Sequence, residues 1–249
     1  MSFFHDPSIL GWGLSDVGQI REANEDHCLI DLDLGLLLVC DGMGGHVGGA
    51  VASKTAATAF RDALRVRAEA GALKGRGARL AVGQSASIAS IAVFDKAEEN
   101  PNLSGMGTTL TALVVHEGVA NIAHVGDSRA YIMRNRRLRQ LTEDHSLVQE
   151  QVRAGLLSEN EARHSRLRNV ITRSVGFNRE VEVDLLSFPV RKGDSFVLCS
   201  DGLTGPIDDE TLAEIIDTAY LGKAVYVLVD LANAMGGDDN ITVVIGHVI

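Results

Sequence analysis

Four aspartates in this chain each stand beside a short apolar run of the kind that forms buried strands. They are Asp41 after residues 36–40, Asp127 after residues 122–126, Asp201 after residues 196–200, and Asp239 before the run that opens at Ile241. A single Asp-Gly pair is usually no more than a turn. The prediction therefore depends on the set of four and on their shared position at strand ends.

Carboxylates at strand ends can be gathered at one edge of an antiparallel sheet, because the end of one strand lies beside the start of another. Unpaired acids collected there would repel one another, and some would have to protonate. A divalent cation removes this repulsion, and Mg²⁺ and Mn²⁺ prefer oxygen ligands in near-octahedral geometry. No EF-hand loop occurs in the sequence. We therefore predict a Mn²⁺ or Mg²⁺ site rather than a calcium loop.

Arg21 and the acidic pair Glu25-Asp26 come just before the first predicted strand. The planar fork of an arginine matches two oxygens of a phosphate and keeps its charge at all relevant pH values. We therefore predict that Arg21 lies beside the metal site and binds a phosphate group. A solvated loop with local ion pairs is the alternative.

The glycine-rich residues 42–49 do not match a nucleotide-binding loop. Val47 stands where G-x-G-x-x-G requires its third glycine, and no G-K-[ST] sequence is present. We interpret the stretch as a tight loop that turns the carbonyl of Gly42 toward a metal ion and then enters a helix.

Short apolar runs separated by turn residues predict antiparallel hairpins, and apolar residues at helical spacing predict helices around them. The predicted strands are 28–32, 36–40, 111–115, 119–125, 130–134, 137–141, 181–188, 196–199 and 241–248, and the predicted helices are 49–67, 80–98 and 223–235. Helices that bracket groups of hairpins predict an α+β fold, with helical layers packed on antiparallel sheet.

A charged segment, residues 143–173, lies between two predicted strands and is expected to be mostly helical. An insertion of this length in a compact domain is typical of a lid or binding element, whereas a solvated helical face is the alternative. Its arginines are Arg153, Arg163, Arg166, Arg168 and Arg173.

Composition narrows the class of protein. The chain has 249 residues, 45% of them hydrophobic, and a formal net charge of -10. That charge argues against binding to nucleic acid or to an anionic membrane. The three cysteines form no C-x-x-C pair, and we expect neither a signal peptide nor a membrane-spanning segment. We expect one domain over residues 1–249, monomeric and cytoplasmic.

Seven segments, taken together, resemble the metal-dependent protein phosphatases of type 2C, and in particular their compact bacterial members. They are residues 15–18 with Arg21 and 24–26, then 39–45, 107–109, 123–129, 141–146, 200–203 and 237–242. They occur in family order over nearly the whole chain, which makes the resemblance highly specific.

The resemblance implies a four-layer α/β/β/α sandwich, in which two antiparallel sheets face each other and helices flank them. The 143–173 segment would be the family's flap, an insertion that covers the cleft. The implied activity is hydrolysis of phosphoserine and phosphothreonine in proteins by a metal-activated water, using two to three Mn²⁺ or Mg²⁺ ions. The implied partners are phosphorylated proteins and a serine/threonine kinase whose action the enzyme opposes.

The resemblance also assigns metal ligands. They are Asp41 as the bridge between two ions, the Gly42 carbonyl, Asp201, Asp239, Asp127 for a third ion shared with Asp201, and Glu25 directly or through water. Asp238 replaces Asp239 if the register shifts by one, although the following Asn240 favours Asp239.

Other implied roles concern the phosphate. Arg21 would bind it, and Arg166 and Arg168 of the 143–173 segment would contact the substrate. Many eukaryotic members have a histidine, proposed as a general acid, directly after the metal-bridging Asp-Gly. Met43 occupies that position here, so His46 is the candidate acid, and a histidine that only stabilises the turn or the start of the helix is the alternative.

Two other functional classes stay open. The first is another two-metal hydrolase, such as a nuclease or nucleotide phosphatase, against which the acidic charge and the 4% aromatic content argue. The second is a non-catalytic regulatory module on the same fold, which would have lost metal ligands that this chain keeps.

Overall fold

The structure is a computed structural model that describes residues 9–44, 47–75, 77–163 and 165–249. The strands are β1 Ile9–Asp16, β2 His27–Asp31, β3 Leu36–Cys40, β4 Gly42–Met43, β5 Gly107–Thr108, β6 Leu110–His116, β7 Val119–Val125, β8 Arg129–Arg134, β9 Arg137–Gln140, β10 Asp184–Pro189, β11 Ser195–Cys199 and β12 Ile241–Val248. The helices are α1 Gly48–Glu69, α2 Gly77–Glu99, α3 Leu147–Arg153, α4 Glu159–Arg163, α5 Asp201–Thr204, α6 Asp209–Thr218 and α7 Leu221–Ala234, with a 3₁₀ turn at Pro101–Leu103.

Two five-stranded antiparallel sheets form the middle of the molecule. The first has the strand order β1-β12-β11-β8-β9, and the second has the order β10-β7-β6-β3-β2. Strand β3 is buried on both faces, since Leu37 and Val39 pack toward the first sheet while Leu36 and Leu38 pack toward α1 and α2. This explains its uninterrupted apolar sequence.

Helices cover both outer faces. Small and apolar residues of α1 and α2, such as Ala56, Phe60 and Val82, pack on the second sheet. Val225 and Leu228 of α7 pack on the first sheet, together with α6. The four-layer α/β/β/α sandwich expected from the resemblance is thus confirmed.

Helix α2 is long and apolar enough to cross a membrane by length and composition alone, with a mean hydropathy of 1.2 over its most apolar window. Half of that window, 50%, is buried inside the fold. Its small apolar side chains, including Ala81, Ala86 and Ala89, belong to the core. Its apolar character is therefore explained by packing.

The predicted hairpins 28–32 with 36–40, 111–115 with 119–125, and 130–134 with 137–141 all form, with ends shifted by at most a residue or two. Strand β10 begins at Asp184, later than the predicted residue 181. The 143–173 segment is less helical than expected, because only Leu147–Arg153 and Glu159–Arg163 form helices in its described part.

Strand β1 and helix α6 were not predicted from the sequence. Gly11 and Gly13 interrupt the apolar pattern of β1, and neighbouring side chains pack closely against both. A Cβ atom on Gly11 would lie 2.9 Å from Leu37 Cδ2, and one on Gly13 would lie 3.2 Å from Ile30 Cδ1. Strand β1 pairs with β12 along its whole length, so the partner that stabilises it comes from the far end of the chain.

Candidate active site

The four aspartates identified from the sequence lie at strand ends of both sheets. Asp41 follows β3 directly, and Asp127 lies in the turn after β7 of the same sheet. Asp201 opens α5 just after β11, and Asp239 lies two residues before β12, both in the other sheet. The candidate site is therefore built where the ends of the two facing sheets come together.

Asp41 and Asp201 form the centre of the cluster, and the carboxyl group of each shifts the pKa of the other. Burial, and then repulsion by Asp26, Asp201, Asp127 and Asp239, raises the pKa of Asp41 well above its usual range. Burial and then repulsion by Asp239 raise the pKa of Asp201. A buried carboxylate that lacks a counter-charge favours its neutral form. The mutual influence of these groups shows that the acids are gathered in one place.

Two more acids complete the cluster. Burial, and then repulsion by Asp201, raises the pKa of Asp127 well above its usual range. Burial raises the pKa of Asp26 to about 7, although its carboxylate accepts a hydrogen bond from Ser200 Oγ at 2.7 Å. Sequence reasoning noticed Asp26 only as a neighbour of Glu25, because nothing local shows that it packs against Ser200.

Two carboxylate oxygens at this site are buried without any hydrogen-bond partner. Within the described ranges, the buried side-chain oxygen and nitrogen atoms that lack a partner are Glu25 Oε1, Asp127 Oδ1 and Asn121 Nδ2. A buried, unsatisfied polar atom destabilises a fold by about 1–3 kcal/mol. An oxygen-seeking divalent cation would satisfy such oxygens and offset the clustered negative charge. The donor set of this chain therefore fits such an ion.

Arg21 lies at the site, as predicted, and contacts Asp239. Its Nη2 donates to Asp239 Oδ2 at 2.8 Å, while Asp239 Oδ1 accepts a hydrogen bond from the backbone amide of Asn240 at 2.8 Å. Across the described ranges, no three His, Cys, Asp or Glu side chains already form a closed ligand set. The Asp239 carboxylate is instead paired with Arg21.

The structure favours Asp239 over Asp238 as the site residue. The Asp239 side chain is 31% exposed, pairs with Arg21, and contributes to the electrostatics of both Asp41 and Asp201. Asp238 is exposed to solvent. Asp239 therefore stays the candidate ligand, and Asp238 stays the alternative.

Threonines connect the Asp41 loop to the Asp127 turn. Thr109 Oγ1 accepts from the backbone amide of Asp41 at 2.8 Å and shares a 2.7 Å hydrogen bond with Ser128 Oγ. Thr108 Oγ1 donates to the Asp41 carbonyl at 2.9 Å. These bonds hold the backbone on both sides of Asp41 in a buried setting. The Asp41 loop and the Asp127 turn are therefore joined by hydrogen bonds through Thr109 and Ser128.

Asn240 positions the loop that carries Arg21 and Glu25. Its Oδ1 accepts from the Glu25 amide at 2.7 Å, and its Nδ2 donates to the carbonyls of Val17 at 2.9 Å and Ala23 at 3.0 Å. Sequence reasoning used Asn240 only to choose the register of Asp239. Its position directly after a predicted ligand was the one available signal of a larger role.

Gly42 packs too closely against its neighbours to carry a side chain. A Cβ atom there would lie 2.2 Å from the Gly49 carbonyl oxygen and 2.5 Å from the Glu25 carbonyl oxygen. Ser53 Oγ of α1 donates to that same Glu25 carbonyl at 2.6 Å. The start of α1 therefore abuts the loop that carries the candidate ligands, while the role of the Gly42 carbonyl as a metal ligand stays a prediction.

Three predicted residues are not placed at the site. His46 lies outside the described residues. Arg166 and Arg168 are exposed and form no ion pair with the described part of the chain. In the same segment, Arg173 pairs instead with Asp184 at 2.8 Å. The structure therefore does not bring Arg166 or Arg168 to the carboxylates.

Comparison with known proteins agrees with this geometry. The sequence profile of the family described as protein phosphatase 2C matches residues 20–226. The serine/threonine phosphatase stp of Listeria monocytogenes is 37% identical over 235 residues, covering 93% of this chain and 92% of that protein.

Solved structures agree as well. The serine/threonine phosphatase PstP/Ppp of Mycobacterium tuberculosis superimposes with a TM-score of 0.90 at 34% identity, covering 97% of this chain and 99% of that one. The catalytic domain of PstP, solved in complex with two manganese ions, superimposes with a TM-score of 0.86 at 33% identity, covering 97% of this chain and 99% of that one. The fold, the carboxylate cluster and these likenesses lead to one conclusion: this chain belongs to the protein phosphatase 2C family.

Proposed function

We propose that Asp41, Asp201 and Asp239, with the Gly42 carbonyl, hold two divalent cations at the sheet ends, and that Asp127 shares a third with Asp201. Glu25 contributes directly or through water. With these ions the chain is a metal-dependent phosphatase that hydrolyses phosphoserine and phosphothreonine in proteins. Mn²⁺ is the first candidate ion, and Mg²⁺ is the alternative.

The observation that carries this proposal is the clustering of Asp41 and Asp201 beside the buried, unsatisfied oxygens of Glu25 and Asp127. Four raised carboxyl pKa values in one place are a typical sign of a functional site. Divalent cations held there supply Lewis acidity and lower the pKa of water toward neutrality.

The chain's own residues then bind and orient the substrate. The Arg21 side chain is 49% exposed, so its guanidinium is free to leave Asp239 and hold two phosphate oxygens through charge-assisted hydrogen bonds. Asn240 fixes the loop that carries it. Such positioning, together with electrostatic stabilisation, provides most of the catalysis of phosphoryl transfer. His46 stays a prediction for the group that protonates the leaving oxygen.

The biological setting is part of the proposal. The substrates are phosphorylated proteins made by a serine/threonine kinase whose signalling this enzyme opposes. The chain acts in the cytoplasm as a monomer, free of nucleic acid and membrane, and residues 1–249 form one catalytic domain with the 143–173 segment as its flap.

Metal dependence and substrate class are tested together. The protein is assayed on a phosphothreonine peptide, on p-nitrophenyl phosphate and on single-stranded DNA, after chelation and after addition of Mn²⁺, Mg²⁺ or Ca²⁺. We expect hydrolysis of the first two, strongest with Mn²⁺ and weak with Ca²⁺, whose longer and more flexible shell suits this cluster poorly. Full activity after exhaustive chelation would contradict the proposal, as would a preference for DNA.

A further inference from the structure

A groove runs along α1 and reaches α2. It encloses about 730 Å³, and its lining includes Val47, Val51, Lys54 and Thr55 of the α1 side and Lys96 of α2. Val47, at one end of the groove, is 62% exposed and offers an apolar surface to a ligand. None of these residues takes part in the carboxylate cluster.

The groove begins beside the candidate active site. Val47 directly precedes α1, and Gly49, two residues later, lies against Gly42 and Glu25. Lys54 comes seven residues after Val47, which is roughly 10 Å along a helix at about 1.5 Å per residue. An extended peptide rises about 3.3 Å per residue. A peptide leaving the site along α1 would therefore bring a residue about three to six positions from its phosphorylated residue to Lys54.

The groove carries uncompensated positive charge on an otherwise acidic protein. Neither Lys54 nor Lys96 forms an ion pair with a described residue, and the Lys96 ammonium only donates to Thr55 Oγ1 at 3.3 Å. The acid that lines the groove, Asp62, is paired with Arg61 at 2.7 Å. The chain as a whole has a net charge of -10. Two free lysines over an apolar floor therefore suit a ligand with both acidic and apolar side chains.

We propose that this groove binds the flank of the phosphorylated protein substrate, with an acidic residue against Lys54 and Lys96 and an apolar residue against Val47 and Val51. This inference rests on the proposed function and adds a substrate preference to it. The enzyme then selects phosphorylation sites that have Asp or Glu about three to six residues away on the side that runs along α1.

The test uses pairs of phosphothreonine peptides that differ only in Asp versus Asn at these positions, on either side of the phosphothreonine. Two partly screened ion pairs should give the acidic peptide a three- to tenfold higher kcat/KM on one side, a preference that shrinks as salt is raised. The double variant Lys54→Ala/Lys96→Ala should lose the preference for the acidic peptide, and Lys54→Glu/Lys96→Glu should prefer the neutral peptide instead. The control variant Lys192→Ala/Lys223→Ala removes the same amount of charge at exposed lysines elsewhere and should keep the preference for the acidic peptide.

Hydrolysis of p-nitrophenyl phosphate, which has no flank, should be unchanged in all three double variants. Equal kcat/KM for acidic and neutral peptides in the wild type would overturn the inference. So would a preference that survives in Lys54→Ala/Lys96→Ala. If the wild type fails to hydrolyse p-nitrophenyl phosphate with Mn²⁺, the proposed function itself is at fault.

Discussion

His145 and Gly126 hydrogen-bond to each other twice. The Gly126 amide donates to His145 Nδ1 at 3.0 Å, and the His145 amide donates to the Gly126 carbonyl at 2.8 Å. Gly126 has a φ of +108°, and a Cβ atom there would lie 2.5 Å from Thr109 Cγ2. The conformation of the turn that presents Asp127 is therefore coupled to the start of the 143–173 segment.

Replacing His145 tests this coupling. His145→Ala leaves the buried Gly126 amide without an acceptor, so unfolding free energy should fall by about 1–3 kcal/mol. Phosphatase activity should fall with it, since Asp127 is no longer held. His145→Asn keeps an acceptor oxygen near the Nδ1 position and should recover most of the loss. Urea denaturation and steady-state kinetics measure both effects, and an alanine variant as stable as wild type would show that the side-chain bond to the Gly126 amide contributes nothing.

Asp26 should make the metal-free protein less stable as the pH rises. Its folded pKa of about 7 lies above the ordinary value of 3.8, chiefly through burial. Stability from this group is thus fully present below pH 3.8 and is lost as the pH rises through 7. In chelator, Asp26→Asn should raise the melting temperature over wild type more at pH 8 than at pH 5. A gain independent of pH would contradict the raised pKa.

Substitutions can distinguish the candidate metal ligands from Asp238, the aspartate next to Asp239. Asp41→Asn, Asp201→Asn and Asp239→Asn should each abolish turnover in a folded protein, and without metal they should melt no lower than wild type, because charge repulsion is relieved. Asp127→Ala should lose only the third ion in a calorimetric titration. Asp238→Asn is the matched control, and it should keep metal binding and activity. If Asp238→Asn were inactive and Asp239→Asn active, Asp238 and not Asp239 would be the metal ligand.

Arg21→Ala should lower kcat/KM roughly ten- to more than a hundredfold, because charge-assisted hydrogen bonds contribute about 1.5–3 kcal/mol. Most of the loss should appear in KM, since binding to substrate and transition state is removed together. Arg21→Lys should recover part of it. Because Arg21 pairs with Asp239, its removal should leave Mn²⁺ affinity unchanged or higher. If kcat/KM of Arg21→Ala stayed within twofold of the wild-type value, another arginine would have to bind the phosphate.

The aspartates could be predicted from the sequence because each is adjacent to a strand whose apolar run is visible by itself. The roles of Asp26 and Asn240 could not be predicted in that way. Their partners, Ser200 for Asp26 and Val17, Ala23 and Glu25 for Asn240, become neighbours only when separate elements pack. The position of a ligand is encoded locally, whereas the groups that hold it in place are set by tertiary contacts.

Strand β1 and helix α6 were missed because the local sequence pattern is weak in both. Strand β1 contains two glycines that no local pattern favours, and they are explained only by the approach of Leu37 and Ile30. Helix α6 did carry a local signal, since Asp208 caps it by accepting from the Thr211 amide at 2.8 Å, and Leu212 and Ile216 face the core. Its short length hid that pattern among loop residues.

The position of β12 between β1 and β11 has a consequence for protein synthesis. While the chain is being translated, β1 has no partner until residues 241–248 leave the ribosome, and Asp239 emerges only just before them. Long-range pairings of this kind form late and slowly. A nascent or prematurely terminated chain therefore lacks both the completed first sheet and one carboxylate of the cluster. Unfinished copies of this phosphatase should be inert toward the cell's phosphoproteins.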